Sequence, residues 1–257
     1  LRPSKTAKAY KEIWMKEENM SPLRYYTLRQ TEKLKLKIGS ENVIVDYAMR
    51  YGNPSIKSKI TELQKAGCEN LIVLPLYPQY AAATTATVCD EVYRTLMKMR
   101  WQPNLQIIPH YESEPMYIDA LANSLSNKIE NIQWKPDLIV ASYHGIPKKY
   151  FEKGDPYHCY CVKTTRLLSE KFKSIPIITT FQSRFGPQEW LQPYTDKTLE
   201  SLPKEGKKNI LVICPGFSSD CVETLEEISI QGKDSFLKSG GINFDAVPCP
   251  VSYTHLR

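Results

Sequence analysis

Apolar residues along the chain arrive in short blocks set between longer polar stretches, and the blocks carry a strand pattern. Seven of them predict β-strands: VIVDYA from Val43, LIVLPLY from Leu71, LQIIPHY from Leu105, LIVASYH from Leu138, IPIITTF from Ile175, NILVICPGF from Asn209 and INFDAVP from Ile242. Leu138, Ile139, Val140 and Ala141 are apolar at successive positions, as expected of a central parallel strand covered on both faces. Between the blocks lie stretches with helical spacing: residues 56–66, 86–99, 115–132, 158–172, 196–202 and 220–238. Successive blocks start roughly 30–40 residues apart, the length of one strand with its crossover helix. Strand then helix, repeated, predicts an α/β fold with parallel sheets flanked by helices. Before Val43 there is no strand pattern; Ala9, Ile13 and Trp14, then Leu28, Leu34 and Ile38, suggest two helices broken at Ser21-Pro22.

The blocks divide unevenly, with four from Leu138 onward and three before it. If the halves are duplicated Rossmann-like units, the first wants an opening strand. Residues 1–133 are accordingly expected to form one α/β half and residues 134–249 the other, with a cleft between them at the carboxyl ends of the strands. The chain starts at Leu1 rather than at a methionine and is read as a fragment, and residues 250–257 are read as a non-native tail.

Composition narrows the class without naming a function. Hydrophobic residues make up 42% and charged residues 24%, an ordinary balance for a globular protein. The net charge of +6 is spread over the chain, with one local cluster at Lys33, Lys35 and Lys37 on a helix face. That pattern argues against nucleic acid as a partner and leaves a peripheral contact with anionic lipid open. No apolar run approaches the roughly 18 residues needed to span a bilayer. Seven cysteines, odd in number and scattered, favour free thiols in a reducing compartment such as the cytoplasm. Cys159 and Cys161 form a close pair, but one intervening residue is not the usual zinc or redox spacing, and no iron–sulfur cluster is expected there.

Candidate chemistry gathers where strands end. In Asp137–Pro147, DLIVASYHGIP, a buried strand runs into Ser142, Tyr143 and His144 before Gly145 stops it. The carboxyl end of a central strand is where open α/β sheets bind ligands, although a histidine there also serves as a structural hydrogen-bonder. Tyr77-Pro78-Gln79-Tyr80 with the small residues after it suits a flat ligand, or an ordinary strand-to-helix loop. After the strand from Asn209 come Asp220, Glu223 and Glu227, at i, i+3 and i+7 of an expected α-helix whose cap is Ser219. Such carboxylates can be dipole partners of a helix start. Opposite a histidine they can also ligate a divalent metal or pass protons.

LPLYPQY, SYHGIP, GDPYHCYC, TFQSRFGPQEWLQPYTD and CPGFSSDCVETLEEI, in this order, resemble ferrochelatase in its bacterial form, from about Arg2 to Pro248. The resemblance implies a chelatase fold and an enzyme that inserts Fe2+, as substrate, into protoporphyrin IX to make protohaem. It implies that His144 and Glu223 are catalytic and touch the metal, with Asp220 and Glu227 extending a path for ions or protons. It places Tyr77, Arg94, Trp190 and Phe217 against the porphyrin, with Arg2 a further candidate at its rim, and it implies that the helix after Glu223 contains a π-turn. Ala81, Ala82 and Ala83 depart from the family's hydroxyl and sulfur residues, and Gln231 stands where some relatives continue the acidic line. The family's Gly-Thr-Pro loop and its closing helix have no counterpart here. Three rival readings remain: insertion of another metal or into coproporphyrin, a non-catalytic tetrapyrrole- or metal-binding protein, and a Cys/His hydrolase using Cys214 or Cys221.

Overall fold

The computed structural model describes residues 2–250, with side chains from residue 6 onward. Its sheets are parallel throughout. In the first half, β1 (Asn70–Val73) pairs with β2 (Asn104–Ile107). In the second, β3 (Leu138–His144), β4 (Ile177–Gln182), β5 (Asn209–Ile213) and β6 (Asn243–Ala246) form one sheet in the order β4-β3-β5-β6. The helices are α1 (Arg2–Ile13), α2 (Pro22–Ile38), α3 (Ile56–Lys65), α4 (Thr85–Leu96), α5 (Pro115–Asn131), α6 (Lys148–Glu152), α7 (Tyr157–Lys171), α8 (Thr195–Ser201) and α9 (Lys233–Lys238). A ten-residue π-helix, Glu223–Gly232, runs directly into α9.

β3 shows why the fold takes this form. Its side chains alternate between faces with period two. Ile139, Ala141 and Tyr143 pack with Leu121 and Leu125 of α5 and with Cys161 and Leu168 of α7. Leu138 and Val140 pack on the other face with Leu199, Ile228 and Phe236. Both faces are covered, so the sequence is apolar at every position until the strand reaches Ser142.

One expected strand does not form. Residues 43–48 join no ladder, and Val43 and Ile44 are 48% and 52% exposed. Strand propensity is realised only against a partner, and β1 and β2 pair only with each other. The segment is held by an ion pair from Asp46 to Lys59 at 3.0 Å and by the Met49 amide donating to the Pro54 carbonyl at 2.8 Å. The short α6 was not apparent from periodicity. The tail reading falls, from residue 251, outside the described residues.

Burial of ionisable groups sets an alkaline limit. Tyr143, Tyr157, Cys161 and Cys214 sit in the second half's core, and burial holds each well above its ordinary pKa. Unfolded thiols ionise near 9.0 and tyrosines near 10.0, so the unfolded chain releases protons that the folded chain keeps. Stability is therefore full below pH 9.0 and falls as pH rises through 10.0. Thermal melts at about pH 7.5 and about pH 10.5 should show a clear drop in Tm, and an unchanged Tm would contradict this burial.

Candidate active site

The three strand-end clusters meet. A Cβ added to Gly216, after β5, would lie 3.5 Å from Tyr143 Cδ1 after β3's core, 3.6 Å from Gln79 Oε1 after β1 and 3.7 Å from Tyr157 Oη. A methyl group there would make ordinary van der Waals contacts with all three, so Gly216 marks where the clusters come together. The halves are joined there by Gln79 Nε2 donating to Thr164 Oγ1 at 3.0 Å and by Ser218 Oγ donating to the Leu76 carbonyl at 3.1 Å. Since Ser218 Oγ gives its proton to the Leu76 carbonyl, Tyr111 Oη donates to Ser218 Oγ at 3.2 Å, and burial pushes the tyrosine pKa up to about 12.

His144 is the last residue of β3 and lies half-buried. Its Nδ1 is 2.7 Å from the carbonyl of Gly145. A carbonyl can only accept, so Nδ1 carries the proton and the neutral ring keeps its lone pair on Nε2. The turn that holds this ring is tight: a Cβ on Gly145 would sit 2.9 Å from the Gln182 carbonyl and 3.2 Å from Trp190 Cε3. Trp190 is buried against that turn, its ring tilted at 56° to Phe185, with its indole N–H donating to the Phe185 carbonyl at 3.0 Å. It is thus the floor under the histidine turn. Phe217 is half-buried against the second half's core.

The carboxylates are not equivalent, which corrects the expected one-sided ladder. Asp220 precedes the helix and is buried; its oxygens accept from Thr224 Oγ1 at 2.8 Å and from the Cys249 amide at 3.3 Å. Glu227 accepts from the Ser183 amide at 2.7 Å, from Ser183 Oγ, and from Gln182 Nε2 at 3.2 Å. Both spend their lone pairs on protein donors. The helix between them is π, with Ser229 Oγ reaching back five residues to the Thr224 carbonyl, so α-helical spacing was the wrong ruler.

Glu223 is half-buried and surrounded by hydroxyl and thiol groups. Burial first, and then its negative charge, raises the pKa of Tyr10 on α1 and of Cys221, and it adds to burial and Tyr51 in raising that of Tyr77. Tyr77 therefore lies near Glu223, and so do residues that sequence reasoning passed over. Arg50, which opposes the rise at Tyr77, stacks on Tyr51 at 4.5 Å and is tied to the Thr87 carbonyl at 2.7 Å. Its guanidinium lies beside Tyr77, whereas the sequence pointed to Arg94. Arg94 itself does not join the site: it is exposed on α4, paired with Glu91, and lines a separate cleft of about 410 Å³ with Lys57, Lys98 and Trp101. Tyr26 of α2 lies near Asp220, and its pKa is raised first by burial and then by that carboxylate. The side chain of Arg2 lies outside the described residues.

Among the described residues no three of His, Cys, Asp or Glu converge to cage a metal ion. Cys159 is exposed and Cys161 buried, and their spacing on α7 turns them apart. Cys214 and Cys221 are buried, and desolvation holds both thiols protonated at neutral pH, which removes the nucleophile that a Cys/His hydrolase needs.

Two parallel α/β halves meeting at their strand ends, with His144 closing β3 and Glu223 opening the π-helix after β5, fit a chelatase fold. The solved structure of SirB from Bacillus subtilis with Fe3+ superposes at a TM-score of 0.62 with 14% identity, covering 89% of this chain and 84% of that one. The family model for ferrochelatase matches residues 1–255. Curated ferrochelatases from Allorhizobium ampelinum and Rhizobium meliloti are each 57% identical over 251 residues, 96% of this chain and 73% and 74% of theirs. That of Brucella anthropi is 51% identical over the same share of this chain and 72% of its own. The chain belongs to the ferrochelatase family, enzymes that insert Fe2+ into a porphyrin in haem synthesis.

Proposed function

We propose that this chain metallates protoporphyrin IX, with His144 as acceptor of the pyrrole protons and Glu223 as the carboxylate that steadies the charged imidazole and meets the incoming Fe2+. The overall change is Fe2+ plus a neutral porphyrin giving haem plus two protons, so the site must take up protons as the metal enters. What carries the reading is the tautomer of His144: its Nδ1 proton is committed to the Gly145 carbonyl, which leaves Nε2 as a base beside the cleft. A cage of three protein ligands would compete with the porphyrin nitrogens for iron, and an incomplete ligand set suits a metal that is to be handed over. Asp220 and Glu227 then serve to tie the π-helix to Cys249 and to the end of β4 rather than to relay ions. Tyr77, Phe217 and Arg50 border the macrocycle, with the guanidinium suited to a propionate.

A cytoplasmic, membrane-peripheral placement belongs to the same proposal. The last turn of α2 presents exposed Leu36 and Ile38 interleaved with Lys35 and Lys37, a mixed apolar and basic end that suits anionic lipid. Among the described residues no helix is long and apolar enough to cross a membrane.

Anaerobic Fe2+ insertion into protoporphyrin and into coproporphyrin, followed by absorbance, tests the assignment. Faster turnover of protoporphyrin is expected. Preference for coproporphyrin would reassign the substrate, and binding without insertion into either would favour a tetrapyrrole-binding protein.

A further inference from the structure

Gln182 touches more of the site's framework than any sequence motif suggested. It ends β4, directly opposite His144 in the parallel register of β3 and β4, and is 3% exposed. Its main-chain carbonyl accepts from the Gly145 amide at 2.8 Å, while the Gly145 carbonyl holds the Nδ1 proton of His144 at 2.7 Å. Its side chain points the other way. Nε2 donates to the main-chain carbonyl of Glu223 at 2.9 Å and to the Glu227 carboxylate at 3.2 Å.

We propose that Gln182 is the positioning residue that sets His144 and Glu223 relative to one another, its backbone fixing the histidine turn and its amide fixing the start of the π-helix. This rests on the roles assigned above to those two residues.

The amide can face only one way. Ser142 Oγ donates to Oε1 at 2.8 Å and the Cys214 thiol approaches the same oxygen at 3.8 Å, while Ser142 is itself steadied by Thr195 at 2.9 Å and Thr195 by Thr180 at 2.8 Å. Flipped, Oε1 would face a carbonyl and a carboxylate, both pure acceptors. A carboxylate at this position would meet the same repulsion, and asparagine is one methylene too short to span from Ser142 to the π-helix. Glutamine alone has the length, the donor and the acceptor. A π-helix also has weaker internal bonding than an α-helix and depends on outside contacts to keep its shape. Gln182 and Ser183 supply such contacts at Glu223 and Glu227.

The test compares the wild-type chain with Gln182→Met, Glu223→Gln and the double variant, in iron insertion and in porphyrin fluorescence quenching. Methionine keeps the length and loses both hydrogen-bonding ends. The expected result is a fall in kcat of about 10- to 100-fold, as for other misplacements of reacting groups by about 1 Å. Porphyrin affinity should stay within about threefold, since no contact to the macrocycle is removed. In the Glu223→Gln background the same change should cost much less, because its effect passes through Glu223. A purely structural glutamine would lower Tm and leave kcat per folded molecule intact, and that outcome overturns the proposal. An equal loss in both backgrounds overturns it too. If Gln182→Met does not fold, Ser142→Ala, which releases the Oε1 anchor and the contact to Thr195 but leaves the amide's bonds to Glu223 and Glu227, should reduce kcat several-fold; no change there would count equally against it. Unimpaired insertion by Glu223→Gln would instead bring down the role assigned to Glu223, independently of Gln182.

Discussion

Replacing His144 with alanine should reduce iron insertion by about two to four orders of magnitude, the range typical for loss of a general base, while porphyrin affinity changes by no more than about threefold. The ring is held by Nδ1 on the Gly145 carbonyl, and the turn beneath it is set by main-chain atoms of Gln182 and by Trp190. Alanine keeps that backbone. The pocket therefore stays formed and the macrocycle still enters, but nothing at Nε2 takes the pyrrole proton. Measuring insertion and fluorescence quenching on the same preparation separates the two effects. Equal loss of both would make His144 a shaping residue, and retained insertion would remove it from the mechanism.

How far the site was legible depended on whether a residue's chemistry or its partner made it functional. His144 could be found because a buried apolar run ends on it, and the same rule places Gln182 at the end of β4. Gln182 was overlooked because an amide does not announce chemistry, and its worth lies in two partners remote in sequence, Ser142 and Glu223. Six of the seven strand blocks formed, since each has both a buried face and a neighbour; 43–48 has the propensity without the neighbour. Arg94 and Arg50 show the limit for charged residues. Both follow apolar stretches, and only the packing decides that Arg50 stacks on Tyr51 beside Tyr77 while Arg94 turns to Glu91 on an outer helix face. The spacing of Asp220, Glu223 and Glu227 was informative about proximity but not about direction, because the first lies before the helix and the helix is π.

Glu223→Gln separates charge from shape at the other half of the site. The side chain keeps its volume, and its main-chain carbonyl still receives Gln182 Nε2 at 2.9 Å, so the π-helix has no reason to rearrange. What is lost is the negative charge that Tyr10, Tyr77 and Cys221 all sense, together with an oxygen that only accepts. An amide ligates Fe2+ weakly and does not stabilise a charged imidazole, so kcat should fall by about 100-fold or more, with porphyrin affinity nearly unchanged. Glu227→Gln is the informative contrast. Its carboxylate already accepts from Ser183 and Gln182, and exchanging one oxygen for an amino group sets a donor against donors, so the expected loss is first in stability, of about 1–3 kcal/mol by melting. If Glu227→Gln instead abolished insertion at unchanged Tm, the acidic line would be a path after all, and Glu223 only its first step. If Glu223→Gln inserted iron normally, the carboxylate would be dispensable and the base at His144 would have to act without a charged partner.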